Sequence, residues 1–274
     1  MTRPPAEPDR CAPGPVIDSH CHLLALAEQG LPPAQALARA RAAGVERVVT
    51  IADGVGEGAR SLALAERHPG VFVAIGWEPR APAPPDDQQL AALAELLQHP
   101  RAVAVGEVGL DYHRPPGGRT APDATQRATL RAMLDLARTA GKPVVVHDRL
   151  AHDAVLEELD ARPPVGVVMH CFSGGPALVR ACAERGFVCS FAGTVTFRNA
   201  GELRLAVRAV PAGLLAVETD APFLAPEPHR GRRNEPALLP ATLALVAALR
   251  GECPDTVARA TTATVEALFG LPPL

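Results

Sequence analysis

Two histidines one residue apart, His20 and His22, stand in the run Asp18-Ser19-His20-Cys21-His22. The apolar, β-branched lead of Val16 and Ile17 makes this run the end of a strand, on which alternate side chains share a face. Asp18, His20 and His22 then point one way, with Ser19 and Cys21 opposite. Paired imidazoles at a strand end are half of a divalent-metal site, or else two polar residues on a rim. The pair alone leaves both readings open. Four further residues of ligand type close other apolar runs: Glu107, His147, His170 and Asp220. Six nitrogen and oxygen donors exceed the needs of one tetrahedral ion and suit two divalent cations. Mixed imidazole and carboxylate ligation admits Zn, Mn, Ni or Mg.

Such chemistry requires the six residues to meet, and the hydrophobic pattern supplies the means. Near-continuous apolar runs recur at 16–22, 47–53, 71–77, 102–108, 143–149, 167–172, 187–192 and 214–220, as buried parallel strands do. Around them lie segments of helical character at 33–43, 57–67, 87–98, 123–140, 151–160, 175–185, 199–209, 236–249 and 254–269. Pro122-Asp123 and Gly141 punctuate the longest of these. Eight strand–helix units predict an α/β fold, a (β/α)8 TIM barrel, with a doubly wound sheet as the competing architecture. No G-x-G-x-x-G follows the first strand, and no phosphate-loop motif occurs. In a barrel every strand ends at the same mouth, so the six donors converge where barrel enzymes place their chemistry.

A carbamylated lysine bridges the two ions of one class of barrel hydrolase. Here the single lysine, Lys142, opens the fifth run, at the opposite end of the barrel. A carboxylate, Glu107, is therefore the bridging candidate. Asp18 and Glu218 lie one layer deeper than His20 and Asp220. They either orient those ligands or are buried polar groups satisfied by neighbours.

The runs D-S-H-C-H, GEVGLDY (106–112), PVVVHDR (143–149), HCFSG (170–174), ETDAPFLAP (218–226) and RGRRNEP (230–236) resemble the signature blocks of the TatD family. Members of that family are metal-dependent deoxyribonucleases on a TIM-barrel fold. The blocks occur in the family's order, from about residue 16 to the last helix. The resemblance implies that His20, His22, Glu107, His147, His170 and Asp220 bind metal. It also implies hydrolysis of phosphodiesters, with single-stranded or damaged DNA as substrate. Two places depart from the family pattern. Gly76-Trp77-Glu78-Pro79 carries an acid where the pattern has G-x-H-P, and TTATVEALF (261–269) lacks the usual asparagine of the last helix. The first departure would add repulsion toward a phosphate; the second concerns packing.

Weaker features surround this set. Arg149 shares a face with His147 and either holds a phosphate oxygen or makes a rim salt bridge. Arg230, Arg232 and Arg233 form the densest basic cluster, either a solvated loop or a contact for substrate. Of the aromatic residues near strand ends, Trp77 is the one favoured to stack a base. Cys171 adjoins a ligand and is assigned to packing.

Composition bounds the remaining choices. The 274 residues are 47% hydrophobic and 21% charged with a net charge of −3, which excludes a chain that coats nucleic acid through a general basic field. No apolar run reaches membrane-spanning length. The Pro-rich residues 1–15 are expected to be a disordered leader without a signal sequence, ahead of one domain over 16–274. Six scattered cysteines read as reduced thiols of a cytoplasmic protein, expected to be a monomer. Three functions fit. The leading one is a two-metal phosphodiesterase on single-stranded DNA, in which Glu107 bridges the ions and Asp220 also takes the proton of the attacking water. A metal-dependent amide, lactone or ester hydrolase is the alternative, and a non-catalytic nucleic-acid-binding barrel the third.

Overall fold

β-branched runs flanked by glycine and polar residues become strands, and the Ala- and Leu-rich segments between them become helices, in the computed structural model, which describes residues 14–114 and 121–274. The strands are β1 (Val16–Cys21), β2 (Val45–Asp53), β3 (Val71–Gly76), β4 (Ala102–Asp111), β5 (Val144–Arg149), β6 (Val167–Met169), β7 (Val188–Phe191) and β8 (Leu215–Val217). The helices are α1 (Leu23–Glu28), α2 (Pro33–Ala42), α3 (Gly54–Arg67), α4 (Asp87–Leu96), α5 (Asp123–Ala140), α6 (His152–Ala161), α7 (Pro176–Glu184), α8 (Gly201–Ala209), α9 (Leu239–Arg250) and α10 (Pro254–Phe269). Each strand pairs in parallel with the next, in the order β1 to β8. A parallel bridge between Cys21 and Ala221 joins the two ends of the sheet. There the Asp220 amide donates to the His20 carbonyl at 2.9 Å and the His22 amide to the Ala221 carbonyl at 2.7 Å. The fold is a (β/α)8 barrel. Of the expected leader, residues 1–13 lie outside the described residues.

Two apolar layers hold the barrel. Its interior is filled by inward residues such as Ile17, Val49, Phe72, Val103, Val145 and Val188, with Val265 and Phe269 of α10 in the same cluster. The Thr-rich turn of α10 is likewise buried, in keeping with a packing role for 261–269. A larger layer between strands and helices includes Leu23, Leu93, Leu130, Met133 and Leu243. Lys142 donates to the Ala102 carbonyl at 2.8 Å, where β4 begins. It therefore sits at the end of the barrel away from the six donors.

Three local departures from regular strands shape the mouth. β1 slips register against β2 between Asp18 and Cys21, so simple alternation does not carry through the D-S-H-C-H run. Ser19 Oγ reaches Ser190 Oγ at 2.8 Å, while Asp18 turns to Thr219. Asp18 thus bonds to Thr219 and to backbone amides rather than to the rings of His20 and His22. β4 slips against β5 between Val105 and Val108, and this irregularity holds Gly106 and Glu107, joined by a cis peptide. β6 and β8 are shorter than their apolar runs, so His170 and Asp220 extend beyond them rather than lying within a strand. Asp220 and Cys171 have left-handed backbones, with φ of 54° and 43°.

Close approach explains one glycine of the GEVGLDY block. Gly109 has φ of 151°, and a Cβ there would lie 1.9 Å from the His147 carbonyl oxygen. Gly109→Ala should therefore destabilise the fold by about 3 kcal/mol or more, combining backbone strain with overpacking. A urea-unfolding midpoint within experimental error of wild type would contradict this.

Candidate metal centre

All six donors meet at the C-terminal mouth of the barrel. His20 Nε2 lies 3.2 Å from His22 Nε2, and Asp220 Oδ1 lies 3.5 Å and 3.4 Å from these two nitrogens. Across the mouth, His147 Nδ1 and His170 Nε2 are 3.4 Å apart. Glu107 stands between the two sets. Its Oε1 is 2.6 Å from His147 Nδ1 and 2.9 Å from His170 Nε2, and its Oε2 is 3.6 Å from His20 Nε2. The His20 and His170 rings stack with centroids 3.9 Å apart. One carboxylate thus offers an oxygen to each pair of imidazoles.

The electrostatics are those of groups brought together for a common partner. Burial would raise the Glu107 carboxyl, but His170 and His147 outweigh it and hold it well below the usual carboxylate range. Burial, reinforced by His170, pushes His20 well below the ordinary imidazole value. Burial would lower the other three imidazoles too, but Glu107 and Glu218 hold His170 well above the ordinary imidazole value, Asp220 raises His22, and Asp111 and Glu107 raise His147. Among the described residues, the buried His20 Nδ1 and Glu218 Oε2 have no hydrogen-bond partner. His20, His22 and Asp220 form one group of ligand atoms close enough for a shared ion, and His20, Glu107 and His170 form another. The residues present fit divalent cations.

Deeper groups brace this set. Glu218 Oε1 accepts from His170 Nδ1 at 3.2 Å and from the Cys171 amide at 2.7 Å, so it fixes one face of a donor imidazole. Asp18 works on the backbone instead. Its carboxylate accepts from the Thr219 hydroxyl at 2.6 Å and amide at 2.9 Å, and from the His20 amide at 3.3 Å. It ties the β1–β8 seam, and burial pushes its carboxyl up to about 7 against the Thr219 bonds. Cys171 lies near the carboxylates, and its thiol is raised by burial and then by Asp220 and Glu218.

Two carboxylates absent from the sequence-derived set also belong to the mouth. Asp111, at the end of β4, lies with Oδ2 3.4 Å from His147 Nε2. Its backbone is clamped by Gln126, which accepts from the Asp111 amide at 2.7 Å and donates to its carbonyl at 3.0 Å. Asp53, at the end of β2, accepts from the Glu78 amide at 2.6 Å. Partial burial, with Glu78, Glu57 and Glu107 nearby, lifts its carboxyl to about 6. Both residues close apolar runs, which is the criterion that singled out the six.

The expected substrate contacts divide. Arg149 is exposed, and its charge acts on Asp111. The Arg230 guanidinium lies 3.7 Å over the Phe197 ring, Arg232 is exposed, and Arg233 donates to the Gln29 carbonyl at 2.6 Å. Glu78 is paired with Arg80, whose guanidinium reaches Oε1 at 2.9 Å. Trp77 and Glu78 both line a cavity beside the centre.

The sequence pattern of TatD related DNases matches residues 17–270. This chain belongs to the TatD family. It is 41% identical over 261 residues to an uncharacterized metal-dependent hydrolase TatD of Mycobacterium tuberculosis, covering 93% of this chain and 98% of that one. A 3'-5' ssDNA/RNA exonuclease TatD of Klebsiella pneumoniae is 36% identical over 245 residues, covering 86% of this chain and 91% of that one. Among solved structures, the YJJV TatD homologue of Escherichia coli K12 superposes with a TM-score of 0.82 at 30% identity, covering 94% and 98% of the two chains. The chain is thus a TatD-family metal-dependent hydrolase on a TIM barrel. Among the described residues, no single helix is long and apolar enough to cross a membrane.

Proposed function

We propose that this TatD-family hydrolase cleaves phosphodiester bonds of nucleic acid, acting on single-stranded DNA with two divalent ions. The supporting observation is Glu107, whose two oxygens face separate imidazole pairs at the barrel mouth. His20, His22 and Asp220 would hold one ion, His147 and His170 the other, with Glu107 shared. Ions so held would supply Lewis acidity toward the phosphate and lower the pKa of the attacking water. Asp220 lies beside both His20 and His22, which supports a role for it in taking a proton from that water. Glu218 keeps His170 in one orientation through its Nδ1. Arg149, exposed at the end of β5, and Arg232, exposed on the loop after β8, would offer positive charge to phosphate oxygens. The names of relatives that cut ssDNA and RNA support a nucleic-acid substrate. The pairing of Glu78 with Arg80 removes much of the repulsion that favoured a neutral ester.

Metal-stripped protein reloaded with Zn, Mn, Ni or Mg should regain hydrolysis of single-stranded DNA and act poorly on neutral esters and lactones. Preferential turnover of the esters would replace the nuclease reading with a carbonyl-hydrolase one. Glu218→Gln should weaken binding of the ion at His147 and His170 by about 10- to 100-fold, the usual effect of removing a partner that orients a ligand. Competition with a chromophoric chelator measures this directly, and an unchanged affinity would dismiss the bracing role.

A further inference from the structure

The ends of β2 and β3 enclose an open-sided cavity of about 760 Å³ lined by Asp53, Glu57, Arg60, Trp77 and Glu78. That volume falls in the range of roughly 300–1,000 Å³ typical of small-molecule sites. It adjoins the metal centre. Gly76, the residue before Trp77, lies so close to the Gly106–Glu107 peptide that a Cβ on it would approach the Gly106 carbonyl carbon to 2.4 Å. The Glu107 charge is also felt at Asp53. A group in the cavity therefore lies beside whatever is held at Glu107.

The walls describe the occupant. Trp77 is fixed: its Nε1 donates to the Ala83 carbonyl at 3.1 Å, so the indole is a rigid aromatic plate. Of its three carboxylates Glu78 is paired with Arg80, which leaves Asp53 and Glu57 beside Arg60, so the walls offer a phosphate little net positive charge and are richer in acceptors than in donors. Glu57 Oε2 accepts from the Asp53 amide at 3.2 Å and is committed to the start of α3. Asp53 uses Oδ1 for the Glu78 amide, and Glu78 uses Oε1 for Arg80. Each keeps its other oxygen as an acceptor. A flat ring with an edge rich in N–H donors satisfies plate and acceptors together.

We propose that this cavity is a nucleobase subsite, in which Trp77 stacks on the base and Asp53 and Glu78 accept hydrogen bonds from its N–H edge. Guanine fits best, because its adjacent N1–H and 2-amino donors match two acceptor oxygens, one from Asp53 and one from Glu78, whereas the single N3–H of thymine is flanked by carbonyls that face acceptors. Stacking on an aromatic side chain accepts any base, so the carboxylates supply the selection. The subsite rests on the nucleic-acid reading above and adds a sequence preference to it.

Trp77 is the single tryptophan of the chain, so its emission reports occupancy directly. Nucleosides contain no phosphodiester bond, and the metal-loaded enzyme can be titrated without turnover. Guanosine should quench Trp77 saturably and bind about tenfold tighter than thymidine, a difference expected of one well-matched base contact. Glu78→Gln and, separately, Asp53→Asn should each erase most of that difference while leaving thymidine affinity nearly unchanged. Two variants guard against a folding defect in either, checked by thermal unfolding. Equal quenching by all four nucleosides, or a guanosine preference that survives both substitutions, would overturn the proposal. So would saturable quenching by a cationic amine such as spermidine with none by nucleosides. DNA cleavage measured in parallel separates the two readings. Cleavage without nucleoside quenching removes the subsite alone, whereas guanosine-selective quenching without cleavage upholds the subsite and removes the nuclease reading.

Discussion

Glu107→Gln should lower hydrolysis by more than about 100-fold at saturating metal while the far-UV circular dichroism of the barrel is retained. Loss of a group that merely orients a ligand costs about 10- to 100-fold, and Glu107 is placed to be a ligand itself. The argument is geometric. Oε1 lies within 2.9 Å of both His147 and His170, and Oε2 faces His20 at 3.6 Å. A glutamine has the same shape but only one oxygen, so its amino group must face one of the imidazole pairs. It also lacks the negative charge that offsets two neighbouring cations. Near-normal turnover at saturating metal would show that Glu107 does not bridge them.

The six donors were legible in the sequence because parallel strands in a barrel share one mouth, so each polar residue closing an apolar run marks a point on the same rim. Nothing in that inference requires knowing where each side chain turns. Orientation was less accessible. On β1 the register slip between Asp18 and Cys21 interrupts the strict alternation that assigns Asp18 its facing, and the Asp18 carboxylate bonds to Thr219. On β6 and β8 the strands stop early, and left-handed residues carry the chain onward. Asp53 and Asp111 met the same strand-end criterion yet were not singled out, since aspartate after a strand is also ordinary turn chemistry. The charge on Glu78 looked unbalanced in sequence, because its partner Arg80 stands two residues on in an irregular loop, where no helical or strand period signals a pair. Arg233 shows the same limit at long range, its partner Gln29 lying 204 positions away.

Asp220→Asn should likewise cost more than about 100-fold in hydrolysis, and the choice of asparagine makes the result interpretable. Asp220 has φ of 54°, a conformation that asparagine adopts readily and alanine resists. Its amide bond to the His20 carbonyl and its carbonyl bond to the Phe223 amide are both backbone contacts that survive the change. Only the charge beside His20 and His22 is removed, so fold and β1–β8 closure should persist. Elemental analysis of the Asp220→Asn protein should find one ion where wild type holds two. The remaining ion should be sensitive to a further His147→Ala substitution, because His147 and His170 serve the opposite oxygen of Glu107. His147→Ala alone should show the converse, keeping the ion that depends on Asp220. The double variant should hold neither. If Asp220→Asn released both ions together, the two donor sets would behave as one coupled cluster and the division at Glu107 would be wrong. If it retained both ions and still failed to turn over DNA, Asp220 would act on the water's proton without being needed to hold an ion.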